Sequence, residues 1–290
     1  MPSSGATARG YGTVFDGVAA EYDRHRPAYP GKLIDQACQV AGIGRGDSVL
    51  EIGCGTGQLT RGLLARGLHV TAVEPGPSLM ALARQNLAGA GQVDFVSARF
   101  EDAPLPRGRF RAVFCASAFH WIDPGISWQK AADVLVAGGT LALVQYFGLE
   151  EPRSKEDQDA VLAALAKVAP DIAADWPVYR DLGATLAGVE ERQGNVSQAW
   201  AWLGSCDLAQ DYAGPLFGDV QVALRPMLLE HTPDELTALV RTLSFWARLS
   251  LGQRQALERE YQAIYGRLGR PIRAGTVAAL VTARRAAARA

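Results

Sequence analysis

The chain has 290 residues, 48% hydrophobic and 20% charged, with a formal net charge of −1. That is the composition of one large globular domain, or of a domain carrying a sizeable insertion. It excludes a global basic field for nucleic acid or an anionic membrane, and no apolar run approaches membrane-spanning length.

Residues 1–10 are small and polar and lack the apolar core of a signal peptide. Phe15, Val18, Ala19 and Tyr22 recur at three and four, which predicts a short amphipathic helix ended by Pro27. This segment is either a helix packed on the domain or a lid over a ligand. A second helix is expected from Pro30 to Ala41, with Leu33, Ile34, Ala37 and Cys38 on its apolar side. The four cysteines (Cys38, Cys54, Cys115, Cys206) form no Cys-x-x-Cys pair and there is no His-Glu-x-x-His, so a reduced cytoplasmic protein without a metal site is expected.

Val49-Leu50-Glu51-Ile52 then runs into Gly53-Cys54-Gly55-Thr56-Gly57-Gln58 and a helical segment. This is strand, glycine turn and helix, the entry to a βαβ unit. Gln58 stands where a dinucleotide fingerprint needs a third-position glycine. Glu51 interrupts a strand that should be apolar on both faces, and a buried carboxylate needs a partner. The second strand, His69–Val73, ends in Glu74, 17 residues past Gly57. An acid there is placed to accept ribose hydroxyls of a nucleotide ligand. Pro75-Gly76-Pro77-Ser78 starts the next helix.

Further strands are expected at Val93–Ser97, Arg111–Ala116 and Thr140–Tyr146, with a helix over Pro124–Leu135 and a stop at Gly138-Gly139. Roughly 130 residues follow that read mainly as helix. They hold Trp176, Trp200, Trp202 and Trp246, either as core filler or as the lining of a cap. A sixth strand is placed in Val220–Leu229, where Pro226 makes it an edge strand. Thr232-Pro233-Asp234-Glu235 is a helix start, Leu251–Leu268 a charged helix and Thr276–Ala283 the last strand. The division is therefore residues 1–30, an N-terminal lid; 31–150, a nucleotide-binding core; 151–275, a mainly helical cap with the sixth strand; and 276–290, final strand and tail.

The motif acid-x-Gly-x-Gly-x-Gly, at Glu51 to Gly57, resembles the first motif of the class I S-adenosylmethionine methyltransferases. Phe15-Asp16, Tyr22-Asp23, Arg26-Pro27 and Phe119-His120-Trp121 resemble the small-molecule, trans-aconitate-methyltransferase-like branch. The resemblance covers about residues 11 to 147. It implies an α/β fold with a doubly wound, mostly parallel seven-stranded sheet and a helical cap, and S-adenosylmethionine as cofactor. It implies cofactor contacts from Tyr22, Arg26, Glu51, Gly53, Cys54, Gly55, Gly57, Glu74, Pro75, Phe100, Glu101 and Ala116, with Asp102 an alternative to Glu101. It places Tyr29 and Trp121 near the substrate, and His120 at the methyl-transfer site, as a base titrating near neutrality or as a packing residue; Trp246 joins the substrate residues on the cap reading of the helical stretch.

Asn/Asp-Pro-Pro-Tyr, frequent in nucleobase methyltransferases, is absent after the fourth strand, so the expected partner is a small molecule. Neither nucleic acid nor membrane is expected, and an oligomer is compatible with the chain. The competing readings are a protein that binds the cofactor without transferring methyl groups and an NAD-dependent oxidoreductase.

Overall fold

The structure, a computed structural model, describes residues 14–204 and 210–287. Seven strands form one sheet: β1 (Ser48–Ile52), β2 (His69–Val73), β3 (Val93–Val96), β4 (Phe110–Ala116), β5 (Leu135–Gly148), β6 (Phe217–His231) and β7 (Ile272–Arg285). Their order is β3-β2-β1-β4-β5-β7-β6. β1 to β5 pair in parallel, and β7 runs antiparallel to both β5 and β6. The chain turns one way from β1 to β2 and the other way to β4. Ligands of such sheets bind at the carboxyl ends of the strands beside this reversal.

Both faces are covered, which is why the central strands are apolar almost throughout. On one face lie α2 (Gly31–Ala41), α3 (Gln58–Leu64) and α4 (Pro77–Asn86), where Leu33, Leu59, Leu63 and Leu87 pack on Val49, Ala72 and Phe114. On the other lie α5 (Pro124–Val134), α8 (Leu182–Glu190) and α9 (Val196–Leu203), where Trp128, Val189 and Trp200 pack on Leu50, Val113 and Leu143. The remaining helices are α6 (Lys155–Val168), α7 (Pro170–Ala174), α10 (Pro233–Arg241) and α11 (Leu251–Leu268). They share a separate core built on Leu165, Leu236, Trp246, Leu257 and Tyr261. Capping boxes at Thr232/Glu235 and Ser250/Gln253 start α10 and α11. The middle of the chain thus contributes to two cores.

β6 is an edge strand, paired only with β7, and it runs through Pro226. It is longer than the sequence suggested. Gly138-Gly139 is not a stop; the two residues lie inside β5, which begins where α5 ends.

The N-terminal segment is a 3-10 turn at Val14–Val18 followed by α1 (Ala19–His25). It is tied across the carboxyl edge of the sheet. Asp16 accepts the N–H groups of Ser78 (2.7 Å) and Leu79 (3.1 Å), capping α4 from far away in sequence. Asn86 at the other end of α4 donates to Asp23 (2.9 Å). Arg26 donates to the carbonyl of Thr242 (2.6 Å), beyond α10, and Tyr146 donates to that of Ala28 (2.6 Å). Among the described residues no helix is long and apolar enough to cross a membrane.

Candidate active site

The elements converge on a cavity of about 300 Å³ at the carboxyl ends of the strands. The glycine loop opens one wall. Gly53 has φ of 68°, and a Cβ there would overlap that of Ala118, so only glycine lets the backbone take this path. At Gly57, with φ of 91°, a Cβ would lie 2.8 Å from Leu87 Cδ1.

Glu74, at the end of β2, braces this loop. Its Oε2 accepts the Gly55 N–H (3.0 Å) and its Oε1 the Gly76 N–H (2.9 Å), while the residue still faces the cavity. Burial pushes its carboxyl above the ordinary range, and the two N–H groups pull it partly back. Glu51 is 1% exposed, one oxygen without a hydrogen-bond partner. Burial pushes its carboxyl up to about 8; the neighbouring Thr60 offsets a part and the charge of Glu74 adds to it.

The opposite wall comes from the N-terminal segment and the turn Phe119–Trp121 after β4. Phe15 packs edge-on against Tyr22 and Trp121, each at 5.7 Å between ring centres. Arg26 stacks over Tyr22 at 5.0 Å, and its Nε is buried without a partner. Ser117, between β4 and this turn, holds φ at 54°, a strained conformation for a non-glycine residue, and accepts the Tyr29 hydroxyl (2.9 Å). His120 faces the cavity. Burial is the main cause that pushes its imidazole down to about 4, and the positive charge of Arg26 acts in the same direction. The ring is therefore neutral at pH 7, whereas the sequence suggested titration near neutrality. Glu101 faces the cavity too and pairs with Arg99 at 2.8 Å. Burial would raise its carboxyl, but Arg99 turns the balance and lowers it.

Of the residues singled out in the sequence, Tyr22, Arg26, Gly53, Gly55, Glu74, Pro75, Phe100, Glu101, Ala116, His120 and Trp121 line the cavity. Glu51, near the end of β1, and Cys54 and Gly57, within the loop, are not among the lining residues. Tyr29 backs the wall through Ser117 and through Tyr146, on which it stacks at 5.5 Å. Trp246 does not reach the site. It fills the core of the helical layer, 6% exposed, because the chain turns inward there between α10 and α11. Trp176, Trp200 and Trp202 are also packing residues, and the guanidinium groups of Arg180 (3.8 Å) and Arg192 (4.4 Å) both stack on the ring of Trp202.

The sequence reading missed Gln145, Tyr146, Leu243 and Ser244, which line the cavity. Gln145 did carry a signal. It is a polar residue closing the buried apolar run Leu141–Val144 at the carboxyl end of a strand, just as Glu51 interrupts β1. Leu243 and Ser244 carried none, since only the tertiary fold brings them to the N-terminal segment.

Residues 50–143 match the model of a methyltransferase domain family. An uncharacterised methyltransferase of Mycobacterium tuberculosis is 38% identical over 130 residues, which is 45% of this chain and 51% of the relative. A demethylmenaquinone methyltransferase of Clavibacter sepedonicus is 28% identical over 159 residues, 53% of this chain and 64% of the relative. The chain spans about half the length of the first of these. Among solved structures, a candidate type II methyltransferase of Anaeromyxobacter dehalogenans superposes with a TM-score of 0.58 at 23% identity, covering 89% of this chain and 97% of that one. The sheet order and the glycine loop braced by an acid agree with this match: residues 50–143 are similar to a methyltransferase domain.

Proposed function

We propose that the protein is an S-adenosylmethionine-dependent methyltransferase that transfers a methyl group to a small-molecule acceptor by in-line displacement. The observation that carries this reading is Glu74, a buried acid bonded to the glycine loop at the cavity wall. A carboxylate offers about four acceptor sites. Backbone N–H groups occupy two of them, and the free sites suit a pair of vicinal hydroxyls such as those of ribose.

The residues present fit the cofactor. Gly53 and Gly55 line the cavity without side chains, so a ligand can approach their backbone closely. Glu51 and Arg26 each keep an enclosed polar atom without a partner. Arg26 is the cation that the carboxylate of an amino acid needs, and the raised carboxyl of Glu51 becomes the matching anion once an ammonium sits beside it. Phe100 and Glu101 suit the face and amino group of an adenine. When bound, the cofactor supplies an electrophilic methyl group. The chain's own task is positioning and exclusion of water. Phe15, Trp121 and Leu243 provide apolar cover, and Tyr22 and Arg26 fix the N-terminal segment over the pocket. Neutral His120 presents a hydrogen-bonding nitrogen to the acceptor.

Calorimetry tests this. S-adenosylmethionine should bind, NAD should not, and Glu74→Ala should weaken binding by about 1.5–3 kcal/mol as a charged acceptor is lost. Equal affinity of a folded Glu74→Ala protein would sink the assignment.

A further inference from the structure

His120 and Gln145 are neighbours on the cavity wall, one in the turn after β4 and the other near the end of β5, the adjacent strand. Nδ1 of His120 and Oε1 of Gln145 are both fully enclosed, and neither has a hydrogen-bond partner. Enclosed polar atoms in folded proteins almost always find partners. These two are complementary, since a neutral imidazole can donate from Nδ1 and an amide oxygen can only accept. The amide also favours the protonated ring, as an oxygen turned toward the imidazole would. Nδ1 is fully enclosed and the ring lines the cavity, so Nε2 is the nitrogen left to face it.

We propose that Gln145 is a positioning residue for His120: its Oε1 takes the Nδ1–H and fixes the tautomer in which Nε2 faces the cavity as a lone-pair acceptor. The use made of His120 rests on the methyltransferase reading; the tautomer does not. One ring nitrogen's hydrogen bond decides which form the other takes. With the tautomer fixed and the ring kept neutral by burial, with Arg26 acting in the same direction, the wall offers an acceptor and no donor at that point. It therefore selects an acceptor substrate that presents an O–H or N–H, and a bare carboxylate oxygen meets a lone pair there.

The tautomer is read by nitrogen NMR on the full chain labelled with ¹⁵N, free of cofactor. His120→Asn identifies the resonances of His120 among the four histidines. At pH 7 the expected spectrum shows Nδ1 protonated and Nε2 bare; an Nε2–H form in the wild-type protein overturns the proposal. Gln145→Leu should shift His120 toward the Nε2–H form, and an unchanged tautomer overturns the role of Gln145. Should Gln145→Leu lose its fold by circular dichroism, Gln145→Glu decides instead. A carboxylate at that place should move the titration midpoint of His120 upward by about one pH unit or more, and an unmoved midpoint counts against the contact. A protein with the expected tautomer that transfers no methyl group would refute the proposed function and leave this assignment intact. Methyl transfer with the other tautomer would do the reverse.

Discussion

Glu51, near the carboxyl end of β1, and Asp157, in the first turn of α6, are both buried carboxyl groups, and the protein treats them in opposite ways. Asp157 takes two hydrogen bonds from Arg270 (2.6 and 2.9 Å) and the N–H of Arg273 (2.6 Å). Burial alone would raise its carboxyl, but these partners outweigh burial and lower it. Glu51 has no cation against it among the described residues and keeps one oxygen without a partner. Its carboxyl goes up to about 8. The contrast extends to the surroundings. Around the sheet's carboxyl edge the partnerless enclosed atoms include those of Arg26, Thr56, His120 and Gln145, whereas the charge of Asp157 is matched by Arg270. A satisfied buried ion pair fixes architecture. A cluster of unsatisfied polar atoms around a cavity is the mark of a surface built for something else to bind.

The comparison makes substitutions in the two regions separable. The largest effect is expected at His120. His120→Ala should lower turnover by about 10²-fold, the low end for a residue handling an acceptor's proton, because a ring this weakly basic takes a proton poorly. Stability and cofactor affinity should hardly change. Steady-state kinetics with an identified acceptor measures this, and near-wild-type turnover would remove His120 from the chemistry.

In the helical layer the same measurement should come out the other way. Arg270→Met leaves Asp157 buried with a single backbone partner. It should lower stability, because Asp157 stays enclosed while losing both side-chain hydrogen bonds, though by less than a fully buried pair would since Arg270 is itself partly exposed. Chemical denaturation reads the loss, and turnover per folded molecule should stay as it was. An unchanged denaturation midpoint would show that the pair contributes little.

Glu51 and Asp157 should also differ in their dependence on pH. The folded protein holds a proton on Glu51 more tightly than the unfolded chain does. The stabilising contribution of Glu51 is therefore complete below about pH 4.5 and is lost as pH rises toward 8. Glu51→Gln should match the wild type in acid and exceed it in stability near pH 8. Asp157, with its carboxyl lowered, contributes above its unfolded value and loses that contribution as pH falls, so Asp157→Asn should be the weaker protein at pH 7 and converge with the wild type in acid. Thermal melts of both pairs from pH 4 to 8 test the opposite slopes; parallel curves for the two variants would end the contrast.

The smallest effect is expected from Asp16→Ala. Removing the side chain that caps α4 should cost about 1 kcal/mol. It should loosen the N-terminal segment over the cavity, which faster amide exchange in α1 would reveal. Unchanged exchange would mean that Arg26 and Tyr146 hold the segment without it.

The sequence by itself determined the central architecture. The strand, glycine turn and helix from Val49 to Leu64, the acid at the end of β2 and the capping signals at Thr232 are local patterns, legible because periodicity, φ requirements and capping act over a few residues. It also marked most of the cavity wall, since the carboxyl ends of parallel strands are where polar residues interrupt apolar runs. Tertiary structure alone decided the rest. Trp246 became core rather than cavity lining, and Leu243 and Ser244 became cavity lining, because both outcomes depend on how α10 and α11 fold back on the N-terminal segment. The ionisation of His120 was decided there too. An imidazole's charge depends on what encloses it, and burial together with Arg26, 94 positions earlier in the chain, is a property of no local stretch.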